Sequence, residues 1–129
     1  MTESMDVESF RAALSGGKKK GSEPSKPSHT WGEMNATEKL YSQELAVRQL
    51  AGEVKAWKFE AVRFTLANRT TYTPDFIVWL ADGSIEIVEV KGRWFDDARV
   101  KFKVARDTFP MFRFCVVQKV RGGFKVTND

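Results

Sequence analysis

Residues 72–92, Tyr-Thr-Pro-Asp-Phe-Ile-Val-Trp-Leu-Ala-Asp-Gly-Ser-Ile-Glu-Ile-Val-Glu-Val-Lys-Gly, constrain the fold more than any other stretch of this chain. Residues 76–80 are a run of aromatic and aliphatic residues and residues 85–90 a run rich in Ile and Val, both of the kind that fit a pleated surface, and Asp82-Gly83 lies between them. Glycine accepts the positive φ of a tight turn, so the two runs predict a β-hairpin. Side chains alternate faces along a strand, which puts Ile85, Ile87, Glu89 and Lys91 on one face and Glu86, Val88 and Val90 on the other. A carboxylate and an ammonium therefore end a face that begins apolar. Asp75, directly after Pro74, opens the partner strand, where hairpin pairing brings it near Glu89.

Two acids and a lysine at one place have a chemical reading. Mg²⁺, or Mn²⁺ in its place, takes hard oxygen ligands in octahedral array, usually one or two carboxylates with waters and phosphate oxygens. Asp75 and Glu89 supply the carboxylates and the Val90 carbonyl a third oxygen. Lys91 is placed to stabilise a metal-activated hydroxide or the charge that builds on a phosphate under attack. A Pro-Asp dipeptide or a Glu-Xaa-Lys alone is a common surface pattern. Their combination in one hairpin is more specific, because the charged pair continues a face that ought to be buried, and burying charge without a partner or a metal is costly.

Pro74-Asp75 and Glu89-Val90-Lys91 resemble the PD and (D/E)XK elements of the PD-(D/E)XK nuclease superfamily, and within it the chain is similar to small phage-encoded endonucleases related to Holliday junction resolvases. The resemblance covers residues 31 to about 118. It implies a restriction-endonuclease-like core and metal-dependent hydrolysis of DNA. It also implies branched or recombination-intermediate DNA as substrate and a homodimer that cuts two opposed strands. In such nucleases a helix before the core sheet adds an acid to the metal site, and Glu38 is the best match here, with Glu44 as the substitute. An acid in the first strand is also common among them, which makes Glu60 an accessory ligand on that resemblance, while the residues themselves favour pairing with Lys58 or Arg63 at a sheet margin.

The remaining chain is compatible with one such domain. At 129 residues, 42% of them hydrophobic, it can bury a modest core. A net charge of +4 favours polyanion partners without identifying them. The single Cys115, in an apolar run, reads as a buried small hydrophobe. One Cys and one His allow neither an internal disulfide nor a zinc site of the Cys/His type, which suits a reducing cytoplasm, that of the host if the protein is phage-encoded. No apolar run approaches membrane-spanning length, and no signal-peptide core is visible, so no membrane partner is expected.

In chain order, residues 1–30 read as a disordered basic tail, because the Gly-, Ser-, Pro- and Lys-rich stretch after Leu14 has little to bury. Lys18, Lys19 and Lys20 there add phosphate contacts or merely solubilise, and His29 reads as a solvated residue. The folded domain is expected over residues 31–129. A helix is predicted over about residues 36–51, capped by Asn35 or Thr37, with Glu38 in capping-box position and Gly52 as the stop. That box gives Glu38 a structural role that competes with ligation. Leu40, Val47 and Ala51 form one arc of this helix, and Tyr41 with Leu45 a neighbouring one.

Residues 54–67 read as one strand region, with Glu60 on the face of Val62, Phe64 and Leu66, and residues 68–71 as a polar connection. A second helix over about residues 96–109, capped by Asp96 and stopped by Pro110, has a packing strip of Ala98, Phe102, Ala105 and Phe109. A basic strip of Arg99, Lys103 and Arg106 lies a quarter-turn away. This strip is a solvated face or a phosphate-steering surface, and Arg93 with Trp94 is a candidate contact to a phosphate and a splayed base, with a place for Trp94 in the core as the alternative. Residues 112–117 predict a strand parallel to 85–91, and residues 121–126 a turn and edge strand. The expected class is α/β, with a mixed central sheet of four to five strands flanked by helices.

Together these residues and the resemblance point to a divalent-metal-dependent endodeoxyribonuclease using Mg²⁺ or Mn²⁺. Other readings stay open on the same residues: a non-catalytic DNA-binding module, a phage interaction protein, or a nuclease cutting linear duplex or transposon ends.

Overall fold

Residues 30–92 and 96–127 are described by the computed structural model. The tail read over residues 1–30 lies outside them except for Thr30, as do Arg93, Trp94 and the side chain of Asp96. Gly32–Asp129 forms one compact unit. Its elements in chain order are α1 (Ala36–Leu50), β1 (Val54–Phe59), β2 (Phe64–Ala67), β3 (Thr70–Tyr72), β4 (Phe76–Leu80), β5 (Ile85–Val90), α2 (Asp96–Thr108), β6 (Arg113–Val120) and β7 (Gly123–Thr127). Among the described residues the fold is α/β, with a mixed five-stranded sheet of order β1-β4-β5-β6-β7 and two helices.

The central hairpin forms as its sequence predicts. β4 pairs antiparallel with β5 from Phe76↔Val88 to Trp79↔Ile85. Gly83 takes φ 92° in the connection, and its N–H donates to the Leu80 carbonyl at 3.0 Å. The Asp82 carboxylate accepts from the Ser84 N–H at 2.9 Å, which closes the turn locally. On its other side β5 pairs parallel with β6, Glu89 lying beside Val116 and Val90 beside Val117. A parallel neighbour needs a crossover, and α2 supplies it. β6 and β7 join through Arg121-Gly122 as a tight hairpin, with Gly122 at φ 84°.

Alternation along the strands divides the core between two faces. Tyr41 and Leu45 of α1 pack with Val54, Phe76, Val78, Leu80, Val88, Val90 and Val117. Phe102 and Ala105 of α2 pack with Tyr72 and Val116, and Phe64, Leu66 and Phe114 border them. Of the two arcs on α1, that of Tyr41 and Leu45 is buried and that of Leu40 and Val47 is exposed. The packing strip on α2 holds, with Phe102 and Ala105 buried and Phe109 half-buried just past the helix end. Cys115 is half-buried rather than fully enclosed, and burial pushes its thiol up to about 12.

One expected strand is two. The backbone turns at Glu60, with φ 49°, and the Glu60 N–H donates to the Asp75 carbonyl at 2.8 Å. Residues 54–67 therefore split: β1 stays in the main sheet, while β2 leaves it and pairs with β3 in a separate two-stranded ribbon. The polar connection over residues 68–71 is the Asn68-Arg69 turn of that ribbon and the start of β3. Glu60 accordingly sits at a corner, not on a strand face with Val62, Phe64 and Leu66. The sequence carries a trace of this, because the apolar positions change phase between Phe59 and Val62 and so leave Glu60 on the face of Val62, Phe64 and Leu66.

Phe76 is fully buried and meets the rings of Tyr41, Trp57 and Phe59 at centroid distances of 5.3, 5.7 and 5.2 Å. Phe76→Ala should cost about 3–5 kcal/mol of stability in denaturant unfolding. Val126→Ala, at an exposed position, should cost well under about 1 kcal/mol.

Candidate metal centre

Where β4 begins and β5 ends, the sheet brings acids into one row. Continued one step past Phe76↔Val88, the β4–β5 register sets Asp75 opposite Glu89. Continued past Phe59↔Phe76, the β1–β4 register sets Glu60 opposite Asp75, and the bond between the Glu60 N–H and the Asp75 carbonyl closes that pair. Three adjacent chain segments thus place Glu60, Asp75 and Glu89 side by side. Like charges directly opposite on a sheet repel.

Local donors hold the acids in place. Asp75 Oδ2 accepts from the Val90 N–H at 2.8 Å. Glu89 Oε1 accepts from the Tyr72 hydroxyl, which the ribbon delivers from the face shared with Phe102 and Val116. Glu60 Oε1 turns away to the Gly32 N–H at 2.8 Å. Glu38 is buried at the start of α1 in the predicted capping box: its N–H donates to Asn35 Oδ1 at 2.8 Å and its Oε1 accepts from the Asn35 N–H at 2.9 Å. Its carboxylate is therefore engaged as a cap. Glu44 is half-buried elsewhere, lining a cavity of about 220 Å³ with Tyr41, Arg48, Glu86 and Cys115.

Electrostatics single out Asp75 and Glu89. Each keeps an edge of surface, but protein encloses most of the carboxyl group. Burial holds Asp75 well above the usual carboxylate range, the charge of Glu89 adds to the rise, and the Val90 N–H opposes it. Burial likewise pushes Glu89 up to about 7, against the lowering effect of the Tyr72 hydroxyl and the Asp75 backbone, with Glu38 and Glu60 raising it further. Burial first, and then Glu89, hold the Tyr72 phenol well above its ordinary value, so it is a neutral donor.

This donor set fits a hard divalent cation. Two enclosed carboxylates with raised proton affinity, facing each other and near two further acids, accumulate negative charge that such a cation would offset. Among the described residues no group of three or more Asp, Glu, His or Cys side chains is arranged to hold a metal ion by itself. A site on Asp75 and Glu89 would be completed by backbone oxygen, water and substrate, which is the usual manner of Mg²⁺.

The other site candidates divide. Lys91 follows Glu89 at the end of β5, half-buried, with its N–H donating to the Val117 carbonyl at 2.7 Å. The Val90 backbone group that meets Asp75 is its N–H. Arg99, Lys103 and Arg106 are exposed on α2, and the Arg106 guanidinium lies 5.9 Å from the Phe102 ring centroid. Sequence reasoning did not assign a role to Tyr72. The signal was its place three residues before Asp75, but only the ribbon explains why its hydroxyl reaches Glu89.

The molecule is thus a small α/β domain with paired carboxylates at adjoining strand ends. A family model described as "Protein of unknown function (DUF1064)" matches residues 35–122, a span that takes in all of these groups, and the chain belongs to that family. No curated protein and no solved structure matches it. No helix among the described residues is long and apolar enough to cross a membrane.

The raised value of Glu89 has a stability consequence. Its ordinary value is 4.5 and its folded value about 7, so between those limits the folded protein binds a proton that the unfolded chain releases. Stability then falls as pH rises through this window. Metal-free protein should melt lower at about pH 8 than at about pH 5, and Glu89→Gln should flatten that slope. Tyr72→Phe removes a donor that favours the ionised carboxylate, so NMR titration of Glu89 should show its value rising above that of wild type.

Proposed function

We propose that this protein is a divalent-metal-dependent endodeoxyribonuclease that hydrolyses phosphodiester bonds with Mg²⁺ or Mn²⁺. The observation that carries the reading is the enclosed pair Asp75 and Glu89, set opposite each other by the β4–β5 register and both raised in proton affinity. The resemblance of Pro74-Asp75 and Glu89-Val90-Lys91 to the PD-(D/E)XK elements supports it, as does the mixed sheet that presents them.

In this reading Asp75 and Glu89 are the ligands, with the Val90 carbonyl as a third oxygen donor. A cation held there would polarise the scissile phosphate and lower the pKa of an attacking water. Tyr72 and the Val90 N–H hold the two carboxylates in orientation. Lys91 offsets charge that develops on the phosphate. Glu38 and Glu60 act chiefly through their charge, since each carboxylate is bonded to a backbone N–H. Arg99, Lys103 and Arg106 contact the DNA backbone, and Arg93 with Trp94 extends that contact. The substrate is branched or recombination-intermediate DNA, and a homodimer provides one centre for each of two strands.

The deciding experiment compares wild type, Asp75→Asn and Lys91→Ala on labelled four-way junction, flap and linear duplex DNA, with Mg²⁺, Mn²⁺ or EDTA. Folding of each is checked by circular dichroism. Wild type should cut only with metal and prefer the junction, Asp75→Asn should be inactive, and Lys91→Ala should lose about a hundredfold or more. Binding of all three DNAs without cutting of any would instead establish a non-catalytic DNA-binding module.

A further inference from the structure

The β2–β3 ribbon stands apart from the five-stranded sheet, and its composition differs from that of the rest of the chain. The protein has 17 acidic residues in 129, yet none occurs in residues 61–74. That stretch contains Arg63, Arg69, Asn68 and the threonines 65, 70, 71 and 73, all hydrogen-bond donors.

Strand pairing sorts these groups by face. Phe64 pairs with Tyr72, and both turn inward to the Phe102 cluster. Thr65 pairs with Thr71, so these two hydroxyls share the outward face. Asn68 and Arg69 form the exposed tip. Arg69 has φ 64°, a conformation that favours glycine or asparagine, so the backbone gives no reason for an arginine there. Arg69 makes no salt bridge among the described residues.

The ribbon is anchored at the candidate metal centre, since its last residue, Tyr72, bonds to Glu89. Its inner face lies against α2, which exposes Arg99, Lys103 and Arg106. The ribbon, rich in donors and without a carboxylate of its own, therefore begins at the paired acids. Two strands about 4.8 Å apart fit within a B-DNA major groove about 12 Å wide.

We propose that the β2–β3 ribbon is the element that enters a groove of duplex DNA, its Thr65–Thr71 face contacting phosphates and its Asn68-Arg69 tip reaching base edges beside the bond presented to Asp75 and Glu89. This deepens the nuclease reading and rests on it for the position of the scissile bond. Threonine hydroxyls contact phosphate oxygens without reading sequence, and arginine or asparagine at the tip reads guanine or adenine edges.

The test uses Arg69→Gly and the double variant Thr65→Val/Thr71→Val in the full chain, with Lys55→Ala as a control on β1, where Lys55 is exposed. Affinity for a fluorescent duplex is measured by anisotropy in EDTA across a salt series, and melting temperature is measured alongside. Arg69→Gly relieves the backbone at φ 64°, so it should melt no lower than wild type, yet bind duplex about tenfold more weakly or worse. Its salt slope should fall by about one if Arg69 also neutralises a phosphate. The threonine pair keeps β-branched shape and should lose affinity without unfolding.

Affinity of Arg69→Gly equal to that of Lys55→Ala overturns the proposal, as does a wild type that does not bind duplex or binds single-stranded DNA or RNA hairpins equally well. Ribbon-dependent binding without metal-dependent cutting would defeat the nuclease reading and leave the ribbon standing as a binding element. Cutting that Arg69→Gly leaves unchanged, with unchanged affinity, would do the reverse.

Discussion

The β4–β5 register is the constraint on which the rest of the structure depends. Pairing Phe76 with Val88 buries both in the face covered by α1, and the same register places Asp75 against Glu89. The two results cannot be separated, because a slip of one residue would move the apolar set from the α1 face to the face covered by α2 and the ribbon and undo the packing on both. Apolar packing thereby holds together two carboxylates that repel. Relief comes from neutral donors, the Val90 N–H on Asp75 and the Tyr72 hydroxyl on Glu89, which orient each group without removing its charge. Unrelieved repulsion lowers the stability of the empty domain, and a polyvalent cation can reclaim it by binding only the folded state.

β5 is also the strand at which the sheet changes character, antiparallel to β4 and parallel to β6. Its two faces do different work. Val88 and Val90 lock it to the α1 layer, while Ile87 and Glu89 face the α2 side. The ribbon comes to the second face only because the chain leaves the main sheet at Glu60. A single left-handed residue therefore decides whether Tyr72 can meet Glu89. That conformation costs energy in a non-glycine residue, and the bonds from the Glu60 N–H to the Asp75 carbonyl and from the Gly32 N–H to the Glu60 carboxylate offset it.

Much of this was legible in residue order, and what was missed has a definite cause. The hairpin, its turn glycine, the capping box of Asn35 and Glu38, the strip on α2 and the parallel partner of β5 all follow from local periodicity and turn chemistry. Proximity of Asp75 to Glu89 followed as well, since a short turn leaves the register little choice. The split at Glu60 left only a change of alternation phase between Phe59 and Val62, and the β2–β3 pairing left none, because Phe64 and Leu66 alternate with polar residues in the same way inside the sheet or outside it. Tyr72 was hidden for the same reason, its contact being made across the ribbon rather than along a strand. Which arc of α1 is buried depended on the neighbouring layer, which chose Tyr41 and Leu45 over Leu40 and Val47.

The shortness of the β4–β5 connection bears on the order of assembly. Residues 81–84 close that hairpin, whereas β5 and β6 meet only across α2. Loop closure costs less entropy for a short loop than for a long crossover, so the strands that carry Asp75 and Glu89 can pair without any contact to β6 or α2. At that stage water still surrounds both carboxylates and screens their repulsion. Desolvation comes from α2 and the ribbon, which cover the β5 face. The electrostatic load of the centre thus falls on the docking of that layer and spares the hairpin.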